Sequence, residues 1–181
     1  MEINYRNHLI PSDREAIKSI LESTRVFYDF EIKVAIEIID DFLVKGPESG
    51  YSFIIAENEG KVLGYVNFGL TPCTAISWDV YWIAVDKQFM NMGLGKILLA
   101  KAEEMIREKG GVNIWVETSS RKEYEPTRAF YLKRGYTIAS ELVDFYTRGD
   151  NKMIFYKHAN ENSVLLTDKA DENIIHDQSP L

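Results

Sequence analysis

Apolar residues change their period along the chain, and each change marks an element. Residues 1–10 alternate loosely and predict a first strand, which Pro11-Ser12 ends. Ile17, Ile20 and Leu21 then recur at helical spacing. Ser12, with Glu15 three positions on, has the form of a capping box, in which each side chain satisfies the other residue's free backbone donor. Ile32, Ala35, Ile36, Ile39 and Leu43 predict a second helix over about residues 30–44, and Gly46-Pro47 closes it. Residues 51–57 and 61–70 are rich in β-branched and aromatic side chains, with Asn58-Glu59-Gly60 between them, which predicts a hairpin. Residues 77–85, SWDVYWIAV, predict a further strand. Over residues 93–109, Leu94, Ile97, Leu98, Ala102 and Met105 fall on one helical face, and Gly110-Gly111 supplies the stop. Residues 112–118 return to strand. Pro126 suits the first turn of a short helix over 126–134 that Gly135 ends, and residues 136–146 and 152–158 predict a last hairpin.

The order is therefore β-α-α-β-β-β-α-β-α-β-β, an α/β (α+β) chain. The strand-helix-strand passage in its middle points to a parallel crossover inside a mixed sheet. A length of 181 residues corresponds to about one domain, which at this size buries about 70% of its unfolded surface without staples. Character changes after residue 158. Residues 159–181 hold Glu161, Asp168, Asp171, Glu172 and Asp177 against Lys169 alone, a net −4 of the chain's −7. We expect a domain over 1–158 and a mobile acidic tail over 159–181.

Charge and composition then narrow the chemistry. A net −7 gives no global basic footprint, so no nucleic-acid partner is expected. No run approaches the ~20 apolar residues of a membrane span, and residues 1–10 lack the form of a secretory signal, so a cytoplasmic protein with no membrane partner is expected. Cys73 alone makes neither a disulfide nor a Cys-rich zinc site, and it is expected in the core or a loop. His8, His158 and His176 lack ligand spacing, so no metal site is expected.

The informative stretch is YWIAVDKQFMNMGLGK, residues 81–96, where an apolar strand runs through a loop into a helix. Free amides at a helix N-terminus favour an anion, and Gly93 and Gly95 leave room for a diphosphate to approach the backbone. An ordinary strand-to-helix turn that uses glycine for tight packing reads equally from G-x-G alone. The stretch is neither a Walker A loop nor G-x-G-x-x-G.

In its wider context, Met90-Asn91-Met92-Gly93-Leu94-Gly95 resembles the acetyl-CoA signature of the GNAT N-acetyltransferase superfamily, Gln/Arg-x-x-Gly-x-Gly/Ala after an apolar strand. Both glycines match, and Met90 departs from the leading Gln or Arg. Residues 125–136, EPTRAFYLKRGY, resemble the family's second block through Ala129-Phe130-Tyr131 and Gly135-Tyr136. The resemblance covers about residues 12–158, including the order of elements. It implies a mixed, mostly antiparallel twisted sheet with a central parallel β-α-β crossover and flanking helices.

The activity the resemblance implies is transfer of an acetyl group from acetyl-CoA to a primary amine, by direct attack in a ternary complex. Physics sets the demands of that reaction. An alkyl amine with a pKa of about 10.4 arrives protonated, so something must take a proton. The developing oxyanion needs donors, and the departing thiolate gains from a proton. By resemblance, the backbone of Ile83, Ala84 and Val85 holds the pantetheine arm. Met90, Asn91, Met92, Gly93, Leu94, Gly95 and Lys96 hold the pyrophosphate. Tyr131 matches the acid that protonates the thiolate, against the alternative of a core tyrosine beside Phe130. For the base, Asp79 and Glu117 are rivals, with a water chain as a third route. Strand alternation puts Asp79 on the face of Tyr81, Ile83 and Val85. Arg121-Lys122 with Arg128 either meets the adenosine 3′-phosphate or forms a solvated cluster. Trp78, Trp82 and Trp115 are expected in the core or in a pocket wall. The acceptor is a small-molecule or peptide amine, held by the first two helices, residues 68–78 and the last hairpin. The family also implies a homodimer. A noncatalytic acyl-CoA-binding or interaction module on the same fold is the alternative. Met90 favours it, and Tyr131 favours the enzyme.

Overall fold

The structure is a computed structural model and describes residues 2–160. Its strands are β1 (Asn4–Arg6), β2 (Tyr51–Asn58), β3 (Lys61–Leu70), β4 (Ser77–Val85), β5 (Asn113–Ser119), β6 (Thr137–Thr147) and β7 (Asp150–His158). The helices are α1 (Asp13–Thr24), α2 (Asp29–Lys45), α3 (Leu94–Glu108) and α4 (Glu125–Lys133). The strands form one sheet in the order β1-β2-β3-β4-β5-β7-β6. Adjacent strands are antiparallel except β4 and β5, which α3 connects. That is the mixed, mostly antiparallel sheet with a central parallel crossover implied by the sequence.

Two apolar layers sandwich the sheet. On one face Ile17 and Leu21 of α1 and Ile36 and Ile39 of α2 pack on Phe53, Ile55 and Tyr65. On the other, Leu98, Leu99, Ala102 and Ile106 of α3 and Tyr131 of α4 pack on Val66, Val80, Val116 and Phe155. Burying each such aliphatic side chain contributes about 1.5–3 kcal/mol. β3 is buried on both faces through its length because helices cover both. One buried ionic cluster ties the second layer together: Glu103 of α3 accepts from Tyr136 at 3.0 Å and from Lys157 of β7 at 2.8 Å.

Local details differ from the sequence reading. The first strand spans only Asn4–Arg6. Ser12 does not cap α1: it is helical and its side chain makes no capping bond. Asp13, 1% exposed, instead ties down the segment before the helix, accepting from the Ile10 amide at 2.8 Å and from the Arg6 guanidinium. The last hairpin is tighter than expected, running from Thr147 to Asp150. Cys73 is exposed in the turn between β3 and β4. Ala159, assigned by sequence to the tail, is buried, and its amide donates to Val112 O at 2.7 Å. Residues 161–181 of that tail lie outside the described residues.

Candidate functional site

The site begins where two parallel strands part. β4 pairs with β5 only from Ser77 to Val80, opposite Asn113 to Val116. Beyond that point Glu117 to Ser119 pair with β7 alone, and the end of β4 keeps only β3. The Asp86 amide donates to Leu63 O at 2.8 Å, so by alternation the Ala84 amide faces β3 while those of Ile83 and Val85 point into the gap. The resemblance gives the backbone of all three residues to the pantetheine arm. Ladder pairing takes Ala84 and leaves Ile83 and Val85.

A bulge shapes the same place. Asn67 pairs with Trp82 and Phe68 with Val80, so Tyr81 is the extra residue on β4. The bulge resets the alternation. Trp78, Val80, Ile83 and Val85 pack toward α3, while Trp82 and Ala84 pack toward α1 and α2. Asp79 lines a cavity with Tyr81 and Trp82. It therefore does not share a face with Ile83 and Val85, contrary to the sequence expectation.

Three cavities follow one another across the gap. The first is a groove of about 420 Å³, lined by Ile83, Ala84, Val85, Met90, Asn91, Gly93, Leu94, Gly95, Lys96, Phe130 and Arg134, among others. Gly93 has φ of 80°, a left-handed conformation that favours glycine, and no side chain caps α3. The first amides of α3 are thus free. A Cβ on Gly95 would lie 3.8 Å from the Phe130 ring and 3.9 Å from Val85, so this residue forms the groove's floor. The loop before α3 is fixed by Asp86, whose carboxylate accepts from the Gln88 amide at 2.9 Å. Arg134 lies at the groove, and its buried Nε has no partner among the described residues. Free amides, Lys96 and this unpaired guanidinium suit a diphosphate. Met92 is not part of the lining. It is exposed on the outside of the loop.

The second cavity, about 160 Å³, lies in the gap itself. It shares Ile83, Val85, Met90 and Thr127 with the groove. Tyr131 lines it. Its ring is 3% exposed, with centroids 5.3, 5.5 and 5.7 Å from those of Phe130, Tyr136 and Phe155. Core packing and cavity lining are thus combined in one residue. Burial pushes its phenol well above the ordinary value, so it stays protonated at neutral pH.

The third cavity, about 400 Å³, opens between α2, the bulge and the final hairpin. It shares Phe27, Tyr81, Trp82, Glu117, Thr118 and Tyr124 with the second. Glu117 thus borders both, while Asp79 borders only the third. Lys152 pairs with Glu117 at 2.5 Å. Burial raises the Asp79 carboxyl above its ordinary value, and the Glu117 charge adds to the rise. Thr71 and Lys152 offset part of it. Arg121 is not at the groove as one sequence reading had it. It stacks on Tyr28 at 4.1 Å, lies 3.4 Å from Asp150, and lines the third cavity. Arg128 spends its guanidinium on Ser119 O and Arg121 O, holding the loop that carries Arg121. Trp82 and Trp115 line the third cavity, and Trp78 is in the core.

Sequence reasoning missed Thr118 and gave Arg134 no site role. The Thr118 hydroxyl is buried without a partner among the described residues, at the border of the second and third cavities. No local signal marks it, because only the parting of β4 and β5 gives it a cavity to face. Arg134 stands within the second motif's stretch EPTRAFYLKRGY, and the fold brings it to the groove.

The sequence profile of the acetyltransferase (GNAT) family matches residues 14–136. Among solved structures, a GNAT-family acetyltransferase from Desulfovibrio desulfuricans is 35% identical, over 87% of this chain and 99% of that one, with a TM-score of 0.85. The ribosomal-protein-S18-alanine N-acetyltransferase of Escherichia coli is 17% identical, over 91% and 100%, with a TM-score of 0.68. PaiA N-acetyltransferase from Thermoplasma acidophilum, solved with coenzyme A, is 17% identical, over 87% and 99%, with a TM-score of 0.68. No curated protein matches the chain.

Proposed function

The chain belongs to the acetyltransferase (GNAT) family, and from that premise we propose that it is an N-acetyltransferase that moves an acetyl group from acetyl-CoA to a primary amine by direct attack. The observation that carries this reading is the continuous row of three cavities, in which the middle one touches both others. Donor and acceptor can then be held at once, with the reacting atoms meeting in the parted strands. The coenzyme A bound to the PaiA relative supports the donor, and the S18-alanine enzyme supports an amine acceptor.

In this reading the groove holds the coenzyme. The free amides of α3, Lys96 and Arg134 take its pyrophosphate. The Ile83 and Val85 amides take the pantetheine arm and the thioester oxygen, where negative charge develops. The amine nitrogen forms a bond to the acetyl carbon, and the carbon–sulfur bond breaks. The nitrogen gives up a proton to Glu117, directly or through water, and the sulfur receives one from Tyr131. Glu117 suits the base because it borders both the acceptor cavity and the middle cavity. Lys152, at 2.5 Å, holds its carboxylate in place. Burial keeps the Tyr131 proton in place until a thiolate forms beside it.

The test is calorimetric titration with acetyl-CoA, followed by thiol release and mass detection of acetylated product across an amine panel. Binding with product formation supports the reading. Binding without turnover of any amine replaces it with the noncatalytic acyl-CoA-binding module.

A further inference from the structure

The third cavity is unusual in its charges. Glu31, Asp79, Glu117 and Asp150 line it against Arg121 alone. Arg121 is already engaged with Asp150, and Glu117 with Lys152. Among the described residues neither Asp79 nor Glu31 has a cationic partner within 4.0 Å. Asp79 is half-buried at the cavity wall, and ionising it there calls for a compensating cation. The walls are aromatic: Tyr81, Trp82, Trp115, Phe30 and Tyr146 line the same cavity as Asp79. Aromatic faces attract cations and pack on alkyl chains alike. Two phenols register the local field. Burial first, then the neighbouring carboxylates, pushes both Tyr81 and Tyr146 up to about 12. The carboxylates' share of that rise, unlike the larger share from burial, favours a cation.

We propose that the acceptor is an alkyl diamine, with one nitrogen at Glu117 as the nucleophile and the second, as an ammonium, held by Asp79. This rests on the N-acetyltransferase reading and names its substrate class. Asp79 pairs with Trp115 across β4 and β5, and Glu117 lies two residues further along β5, so the two carboxylates stand on neighbouring strands about 8 Å apart at Cα. A short alkyl chain therefore lets one nitrogen reach each carboxylate. Asp79 is thereby a specificity residue rather than the base. An acceptor that carries a carboxylate in place of the second ammonium meets Asp79 and Glu31 as like charges.

The experiment compares α,ω-diaminoalkanes of two to eight carbons with n-alkylamines and ω-amino acids of matched length. kcat/KM is measured at saturating acetyl-CoA. The short diamines of the series are expected to exceed matched monoamines by about 10–100-fold, the worth of one charge-assisted contact, and ω-amino acids to fall below both. Asp79→Asn should raise KM for the diamine and collapse the preference to within about threefold, while Asp79→Glu retains part of it. A general base at position 79 would instead lower kcat for every acceptor. Calorimetry of butane-1,4-diamine against butylamine, in the CoA-saturated protein, reads the same anchor without turnover. Equal use of mono- and diamines, or a preference that survives Asp79→Asn, overturns this proposal and leaves the N-acetyltransferase reading intact. Acetyl-CoA binding with no amine acetylated removes both.

Discussion

The groove proposed for the donor and the cavity proposed for the acceptor are of nearly equal size, about 420 and 400 Å³, and are built by opposite means. The groove is made largely from one continuous stretch, the end of β4 through the start of α3, and it works through backbone. Its free amides need only a helix start, a left-handed Gly93 and the absence of side chains. The acceptor cavity draws on α2, β4, β5, the turn before α4 and the last hairpin, and it works through aromatic rings and carboxylates. Backbone recognition suits a ligand common to a whole family. Side-chain recognition from scattered elements can be changed one residue at a time, which is how one fold serves different acceptors.

The sharpest way to break that comparison lies where the two regions meet. Tyr131→Phe keeps the ring packed against Phe130, Tyr136 and Phe155 and removes only the proton. kcat is expected to fall by about 10²–10⁴-fold with acetyl-CoA affinity nearly unchanged, read by steady-state kinetics and calorimetry. Chemistry must be shown to limit the rate, since slow product release would hide the loss. Full turnover with chemistry limiting would return Tyr131 to the core alone.

Glu117→Gln is expected to cost about 10²-fold in kcat. Its residual rate should climb with pH, because an amine of pKa about 10.4 then arrives increasingly deprotonated. An unaltered pH profile would shift the base to a water chain. On the donor side, Gly95→Val places branches against Phe130 and Val85, whereas Gly95→Ala adds only a carbon at ordinary contact distance. The valine variant should raise KM for acetyl-CoA about tenfold or more and leave acceptor KM nearly unchanged, and the alanine variant should change both little. Equal rises for donor and acceptor in the valine variant would deny that the two cavities are separate in function.

The smallest effect is one of stability. The folded-state pKa of Asp79 lies above its reference value of 3.8, so the folded protein holds that proton more tightly than the unfolded chain. Stability from this group is therefore greatest at low pH and is lost as pH rises through the window above 3.8. Asp79→Asn removes the cost. Its stability at pH 7, read by thermal melting, should sit slightly above that of the wild type, by less than about 1 kcal/mol for a half-exposed group, and the gain should shrink toward acid. A variant less stable at pH 7 would mean that Asp79 is held by partners that stabilise its charge. The expected trade of stability for a substrate contact would then not apply.

Much of this was written locally in the sequence. The helical faces of α1, α2 and α3 were legible because their apolar residues repeat at 3.6, and the Asn58-Glu59-Gly60 turn carries its own chemistry. The two motifs placed Gly93, Gly95 and Tyr131 because backbone amides and a helix start are consequences of short-range order. Tertiary structure decided the rest. Asp79 changed face because one extra residue, Tyr81, resets a period of two, and a bulge depends on how β3 pairs with β4. Arg121 went to the acceptor cavity because Tyr28 and Asp150, distant in sequence on both sides, hold it there. Glu117 and Thr118 gained a cavity only because β5 leaves β4 for β7 after Val116. A residue's period and turn chemistry are fixed by its chain neighbours, whereas the place where two paired strands separate depends on the packing of the whole sheet.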